Sequence, residues 1–253
     1  LALTLKTQRP VLLRWLMILG GGTLALCLLY SLLTRIPAAA GWLGGLQVHT
    51  LRPGSTAGWL NLLLFEWFLP LGMSFFAIQA GSRLTAADEE SGGLALLLAG
   101  PITRRRLILE RLAALLISCA VLAASVLGLL FLWNAAFLGG LPYGKLAQIC
   151  GNLTMLAFFF GGLAALFGCH FGQVTFSRDL ALIMVGLFFL ADLLPDFINE
   201  IAALRPLSPF YYYAGADPLI HDATRSSALA LAVGTFLLGL AAVLRFDRRD
   251  LPI

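Results

Sequence analysis

Charge is what this chain has little of. Only 12% of its 253 residues are Asp, Glu, Lys or Arg, about half the usage of an ordinary soluble domain, and 60% are hydrophobic. That balance excludes a water-soluble globule. Histidine is scarce as well. His49, His170 and His221 are scattered, and none pairs with a carboxylate at metal-ligand spacing, so no metal site is expected. The four cysteines, Cys27, Cys119, Cys150 and Cys169, lie in apolar stretches without metal spacing and read as small buried hydrophobes. No polar stretch is long enough to bury a core of its own, so residues 1–253 are read as one domain. A working phosphate loop is also missing. Gly139-x-x-x-x-Gly144-Lys145 is followed by Leu146 where a Mg²⁺-binding hydroxyl is needed, and no strand precedes it. Bound cofactors and nucleotide hydrolysis by this chain are therefore not expected. Asn152-Leu153-Thr154 has the form of a glycosylation acceptor, but it falls inside an apolar run and carries no meaning there.

What the chain has is long apolar runs. A bilayer-crossing helix needs ~20 of them in a row. Six are expected, near Leu12–Leu33, Trp59–Ala80, Leu107–Leu132, Ile149–Phe171, Leu180–Leu194 and Ala228–Leu244. A membrane barrel would alternate in polarity over ~10-residue segments; these runs are continuous in Leu, Ala, Gly and Phe, so the fold class is all-α and polytopic. The fifth run is short and is expected to be broken or to continue into a protein-covered re-entrant piece. No cleavable leader is expected, because the first run carries Arg14 at its start and lacks a small-residue cleavage site.

Six crossings put both termini on one side. Lys6, Arg9, Arg14, Arg83, Arg104, Arg105, Arg106, Arg111, Arg178, Arg245, Arg248 and Arg249 fall on that side; Arg35, Arg52, Lys145, Arg205 and Arg225 fall on the other. The excess predicts that both termini are cytoplasmic, in the plasma (inner) membrane. The net charge of +4 is assigned to anionic lipid headgroups, not to nucleic acid.

Local patterns add detail. Leu1–Pro10 reads as an interfacial N-terminal helix that Pro10 separates from the first span. Trp42 and Trp59 read as interfacial anchors. Asn61 and Glu66 form a possible polar site within the second span, functional or merely structural, and Pro70 is expected to kink that helix. In the fourth span Ala157, Gly161, Ala165 and Cys169 make one small-residue stripe and Ala164, Gly168 and Gly172 the next, suited to helix packing inside the chain or at a dimer seam. Residues 195–227 are too long for a structureless connection and are expected to fold back into the outer leaflet, with Tyr211–Tyr213 at the headgroups.

The most informative stretch is Thr85–Arg111, between the second and third runs. Thr85-x-x-Asp88 has the form of a capping box, and Glu89 and Glu90 add negative charge to a first helical turn. Leu94, Leu97 and Leu98 share a face, and Gly100-Pro101 is a stop. Thr103 can cap the next helix, Arg104, Arg105 and Arg106 would then lie at headgroups or a partner, and Glu110 can pair with Arg106. A structured, charged segment on the basic side of a membrane protein offers a docking surface to something soluble.

The Glu89-Glu90-Ser91-Gly92-Gly93-Leu94, Leu96-Leu97-Leu98 and Pro101-Ile102-Thr103-Arg104-Arg105-Arg106 pattern resembles the loop after the second span in ABC transporter type-2 permeases. Leu207-Ser208-Pro209-Phe210-Tyr211-Tyr212, Gly215-x-Asp217-Pro218 and the Phe246-x-Arg248-Arg249-Asp250-Leu251 tail are similar to that family too. The resemblance implies a half-transporter: two permease chains, most simply a homodimer, with two ATPase subunits that bind ATP and Mg²⁺. It also implies a cytosolic coupling helix at about Thr85–Ala99 that docks on the ATPase through Asp88, Glu89, Glu90, Leu94, Leu97 and Leu98. The N-terminal segment would be an interfacial elbow, and residues 195–227 would hold the re-entrant pieces. An amphipathic or lipid-like cargo would suit the Leu-, Phe- and Ala-rich walls. Three alternatives carry less. One is a non-transporting scaffold or sensor with the same docking helix. Another is a secondary transporter, which needs more mid-membrane ionisable groups than Glu66 and Asp192. The last is an intramembrane CAAX-type protease, whose Glu-Glu-x-x-x-Arg motif fails at Leu94.

Overall fold

The computed structural model describes residues 2–33, 35–36, 56–90, 92, 103–137, 141–196, 198–214 and 225–248. Among the described residues there is no strand, and six helices are long and apolar enough to cross a membrane. These are Gln8–Leu33, Leu60–Ser82, Arg104–Phe137, Tyr143–Phe171, Val174–Leu193 and Ser227–Asp247, called here the first to sixth spans. The chain is a helical membrane protein. The third span is 34 residues long and the fifth 20, both longer than hydropathy predicts. The reason is that a helix keeps its backbone hydrogen bonds through the polar boundary, where composition stops being apolar.

The expected break at Pro10 is absent. One helix runs from Ala2 to Leu33 with Pro10 inside it. A proline costs a helix one hydrogen bond and a clash, but contacts on either side hold this one in line. Gln8 Oε1 accepts from Ser118 Oγ at 3.0 Å, and Trp15 Nε1 donates to Gln79 Oε1 at 2.9 Å.

The fourth span is the hub: 67% of its apolar window is buried, against 17% for the fifth. Its small-residue stripe packs inside the chain, against the second span. A Cβ placed on Gly81 would fall on the Gly161 carbonyl, and one on Gly161 would lie 3.0 Å from the Ala77 carbonyl and 2.8 Å from Leu115. Gly168 meets the Ser82 carbonyl in the same way at 3.3 Å. Contacts advance in step from Ala77 and Gly161 to Ser82 and Gly168, so the two spans run in the same direction. Bare glycines let their backbones approach to a distance no larger residue allows. The four cysteines are buried, and none of them is in a disulfide.

The second span changes register along its length. Thr56–Trp59 is α-helical, Leu60–Phe68 is a π-helix and Leu69–Ser82 is α-helical again. At the junction the Leu69 N–H bonds the Leu64 carbonyl, five residues back. Pro70 follows. The sequence announces a kink there; the structure answers with a widened register, which moves the proline ring away from the carbonyl four residues back.

Two of the aromatic residues expected at the boundary are covered by protein. Trp59 is buried: it packs on Tyr30, and its indole N–H donates to the Leu26 carbonyl at 3.3 Å. Tyr213 is fully buried in the bundle, whereas Tyr211 is exposed. Both rings satisfy their polar atom inside the protein, which removes the need for a wet boundary. Trp42 lies outside the described residues.

Candidate docking site at the basic end

The ends of the spans that carry most of the Lys and Arg residues form a connected layer of polar contacts. Arg105 reaches across from the start of the third span to Asp247 at the end of the sixth, at 2.7 Å. Arg245 Nε donates to His170 Nδ1 at 3.0 Å, joining the sixth span to the end of the fourth. Arg106 pairs with Glu110 one turn on at 3.0 Å, as the spacing predicts.

At the centre of this layer lies the short helix Ala86–Glu90. Thr85 and Ala86 are buried, which fixes the start of the turn against the fourth span. The Thr85 hydroxyl lies 3.6 Å from Cys169 Sγ. Asp88 forms an ion pair with Arg111 of the third span. Arg111 is itself buried, and it also donates to the Leu84 carbonyl, so the guanidinium stitches the turn to the third span at two points. Glu90 Oε1 accepts the Val174 N–H, the first of the fifth span, at 2.7 Å. A carboxylate there fills an orphan donor and sits at the positive end of the helix dipole, a contribution of about 0.3–1 kcal/mol when exposed. Glu89 lies against Gly172, whose φ of 69° is left-handed; a Cβ there would come within 2.6 Å of the Glu89 carboxylate. The acidic residues that the sequence offers to a partner are thus also engaged within the chain.

The turn ends at Gly92, with φ 70° and its N–H on the Glu89 carbonyl at 3.1 Å. A glycine adopts that conformation without Cβ strain. The left-handed Gly92 excludes one unbroken helix over Thr85–Ala99; the described helix ends at Glu90. Leu94, Leu97 and Leu98 lie outside the described residues, as does the Gly100-Pro101 stop.

No family model matches the chain. No curated protein matches it either.

The other polar pair, Asn61 and Glu66, is in the π-helical part of the second span. Asn61 is buried and Glu66 half-buried. Five residues is close to one turn in this wide register, which brings the two toward neighbouring faces. Among the described residues no group of three His, Cys, Asp or Glu could hold a metal ion.

Opposite the basic end, the segment after the fifth span folds back onto the bundle. Two 3₁₀ stretches, Leu194–Asp196 and Asn199–Leu207, lead to the helix Pro209–Ala214. Phe210 packs on Phe160 and Phe189, with ring centroids 5.3 and 5.4 Å away. Tyr213 donates its hydroxyl to the Phe65 carbonyl of the π-helix at 3.0 Å. Burial raises the Tyr213 phenol well above its ordinary range, so the hydroxyl keeps its proton and remains a donor.

In the sequence Arg111 reads only as one more basic charge. Its position inside the apolar run of the third span was the available signal, since a charge at that depth needs a partner. His170, Arg245 and Asp247 carried no such signal; three separate span ends had to meet first.

Proposed function

We propose that the chain is the membrane permease subunit of an ATP-binding-cassette exporter of the type-2 family. It moves an amphipathic or lipid-like substrate across the plasma membrane. A separate ATPase subunit, in two copies, hydrolyses the ATP, and two permease chains form the path, most simply as a homodimer. Both termini and the Ala86–Glu90 turn face the cytoplasm. The turn and the residues after it act as the coupling element, and the segment after the fifth span is the re-entrant element.

The observation that carries this reading is the anchoring of the acidic turn. It is held by the third span through Asp88 and Arg111, by the fourth through Thr85 and Cys169, and by the fifth through Glu90 and Val174. A segment fixed to three spans at once moves when any partner pushes it, and it moves those spans together. A flexible loop would absorb the push. Such coupling requires the partner to bind the two states of the membrane domain with different affinity.

The test is reconstitution. The chain is purified alone and together with its co-purifying ATPase, and each sample is placed in liposomes. Hydrolysis by the complex that rises with an amphipathic cargo, and none by the chain alone, is the expected result. Hydrolysis by the chain alone would overturn the reading, as would labelling of a cysteine at Ser91 from outside the cell. Cargo-independent hydrolysis would point instead to a scaffold.

A further inference from the structure

The π-helix Leu60–Phe68 poses a specific hydrogen-bond question. In its register each N–H bonds the carbonyl five residues back, as Leu69 does to Leu64. The next bond in the series would run from residue 70 to the carbonyl of Phe65. Residue 70 is proline and has no N–H to give. Phe65 is buried, so its carbonyl cannot turn to water. The group that meets it is the Tyr213 hydroxyl, from 148 residues further along the chain.

Tyr213 is held there by the fifth span. Ser208 Oγ donates to the Phe188 carbonyl at 2.8 Å and accepts the Phe210 N–H at 3.2 Å, which fixes the start of the Pro209–Ala214 helix. Phe210 then wedges between Phe160 and Phe189. The second and fifth spans are consequently joined at both ends: by Tyr213 and Phe65 at one, and by Glu90 and Val174 at the other. Only the short turn at residues 83–85 separates the end of the second span from the acidic helix.

We propose that Tyr213 is a positioning residue: its hydroxyl stands in for the amide that Pro70 lacks, holds the second span in its wide register, and through that span sets the acidic turn at the far end. Loosening the outer contact frees the π-helix to shift register. A change of one residue in helical register turns the following helix by about 100° and moves it about 1.5 Å. The turn at Ala86–Glu90 would feel that change directly. The inference rests on contacts within this chain and not on the transporter reading. Neither ATPase nor cargo enters its test, so its failure would leave that reading standing.

The experiment is a double-mutant cycle on the full-length purified chain in detergent, read by hydrogen–deuterium exchange. Tyr213→Phe removes one oxygen and keeps the ring. It should speed exchange about fivefold or more in peptides covering 60–69, the ratio that an ordinary net hydrogen bond corresponds to. It should also speed exchange in peptides covering 83–90. Pro70→Ala restores an N–H for the Phe65 carbonyl, so adding Tyr213→Phe to Pro70→Ala should change either region less than twofold. An equal effect of Tyr213→Phe in both backgrounds would overturn the stand-in role. Faster exchange at 60–69 with 83–90 unmoved would overturn the link to the acidic turn. Should Tyr213→Phe alone fail to fold while the double variant folds, the rescue itself supports the proposal; failure of both alike would refute it.

Discussion

Replacing Arg111 by Met is the sharpest test of how the acidic turn is held. The guanidinium is buried and has two acceptors, the Leu84 carbonyl and the Asp88 carboxylate, which is about one-third exposed. Met keeps the apolar stem and removes both bonds. Breaking a fully buried ion pair costs about 3–5 kcal/mol, because the remaining charge is left in a dry site. Solvent at Asp88 relieves part of that cost. The Leu84 carbonyl is buried and gets no such relief, adding about 1 kcal/mol for its lost hydrogen bond. The balance is a loss of about 2–3 kcal/mol, or about 4–12 °C in the midpoint of thermal unfolding for a chain of this size. Asp88→Asn should cost less, since its amide oxygen still accepts. Because both changes weaken the same contact, their combination should cost clearly less than the sum. The assay is thermal unfolding of the four proteins in one detergent, followed by intrinsic fluorescence and gel filtration. An Arg111→Met midpoint unchanged from the parent, or strictly additive effects, would refute the argument that this pair fixes the turn.

Other outcomes follow from the same geometry. Gly81→Ala puts a methyl group on the Gly161 carbonyl and should cost about 1–3 kcal/mol, whereas Gly186→Ala, which meets nothing within 4 Å, should be neutral or slightly stabilising; midpoints of the two variants decide. Gly172→Ala combines a left-handed backbone with a clash on Glu89, so the acidic turn should lift and the Cys169 thiol, now buried beside Thr85, should react faster with maleimide. Unchanged labelling would mean that Glu89 simply swings aside. If the proposed permease reading holds, charge reversal at Glu89 and Glu90 should uncouple the partner's ATP hydrolysis from export while the chain still elutes as a folded protein; normal cargo-stimulated hydrolysis and export would contradict the coupling role.

The legible parts of this chain are those set by local composition. Six long apolar runs, too poor in charge for water, leave helices as the form that satisfies its own backbone in a bilayer, and the excess of Lys and Arg near one set of ends is visible without any structure. Pairings within one helical turn were legible too, as with Arg106 and Glu110. Pro10 and Pro70 show where local reading stops. Both are helix breakers by rule, yet one lies within an unbroken helix and the other follows a π-helix. The difference lies in what packs on each, which the neighbouring residues do not encode.

From its residues alone, the chain determined that it is a helical membrane protein, because hydrophobic transfer and backbone satisfaction depend on composition within each segment. Tertiary structure alone decided that the fourth span is the hub, that the glycine stripe faces the second span, and that Asp88, Glu89 and Glu90 reach Arg111, Gly172 and Val174. It also decided that Tyr213 completes a hydrogen bond that Pro70 cannot make. Those contacts join residues far apart in the chain, and their energy depends on distances that exist only once the spans have packed.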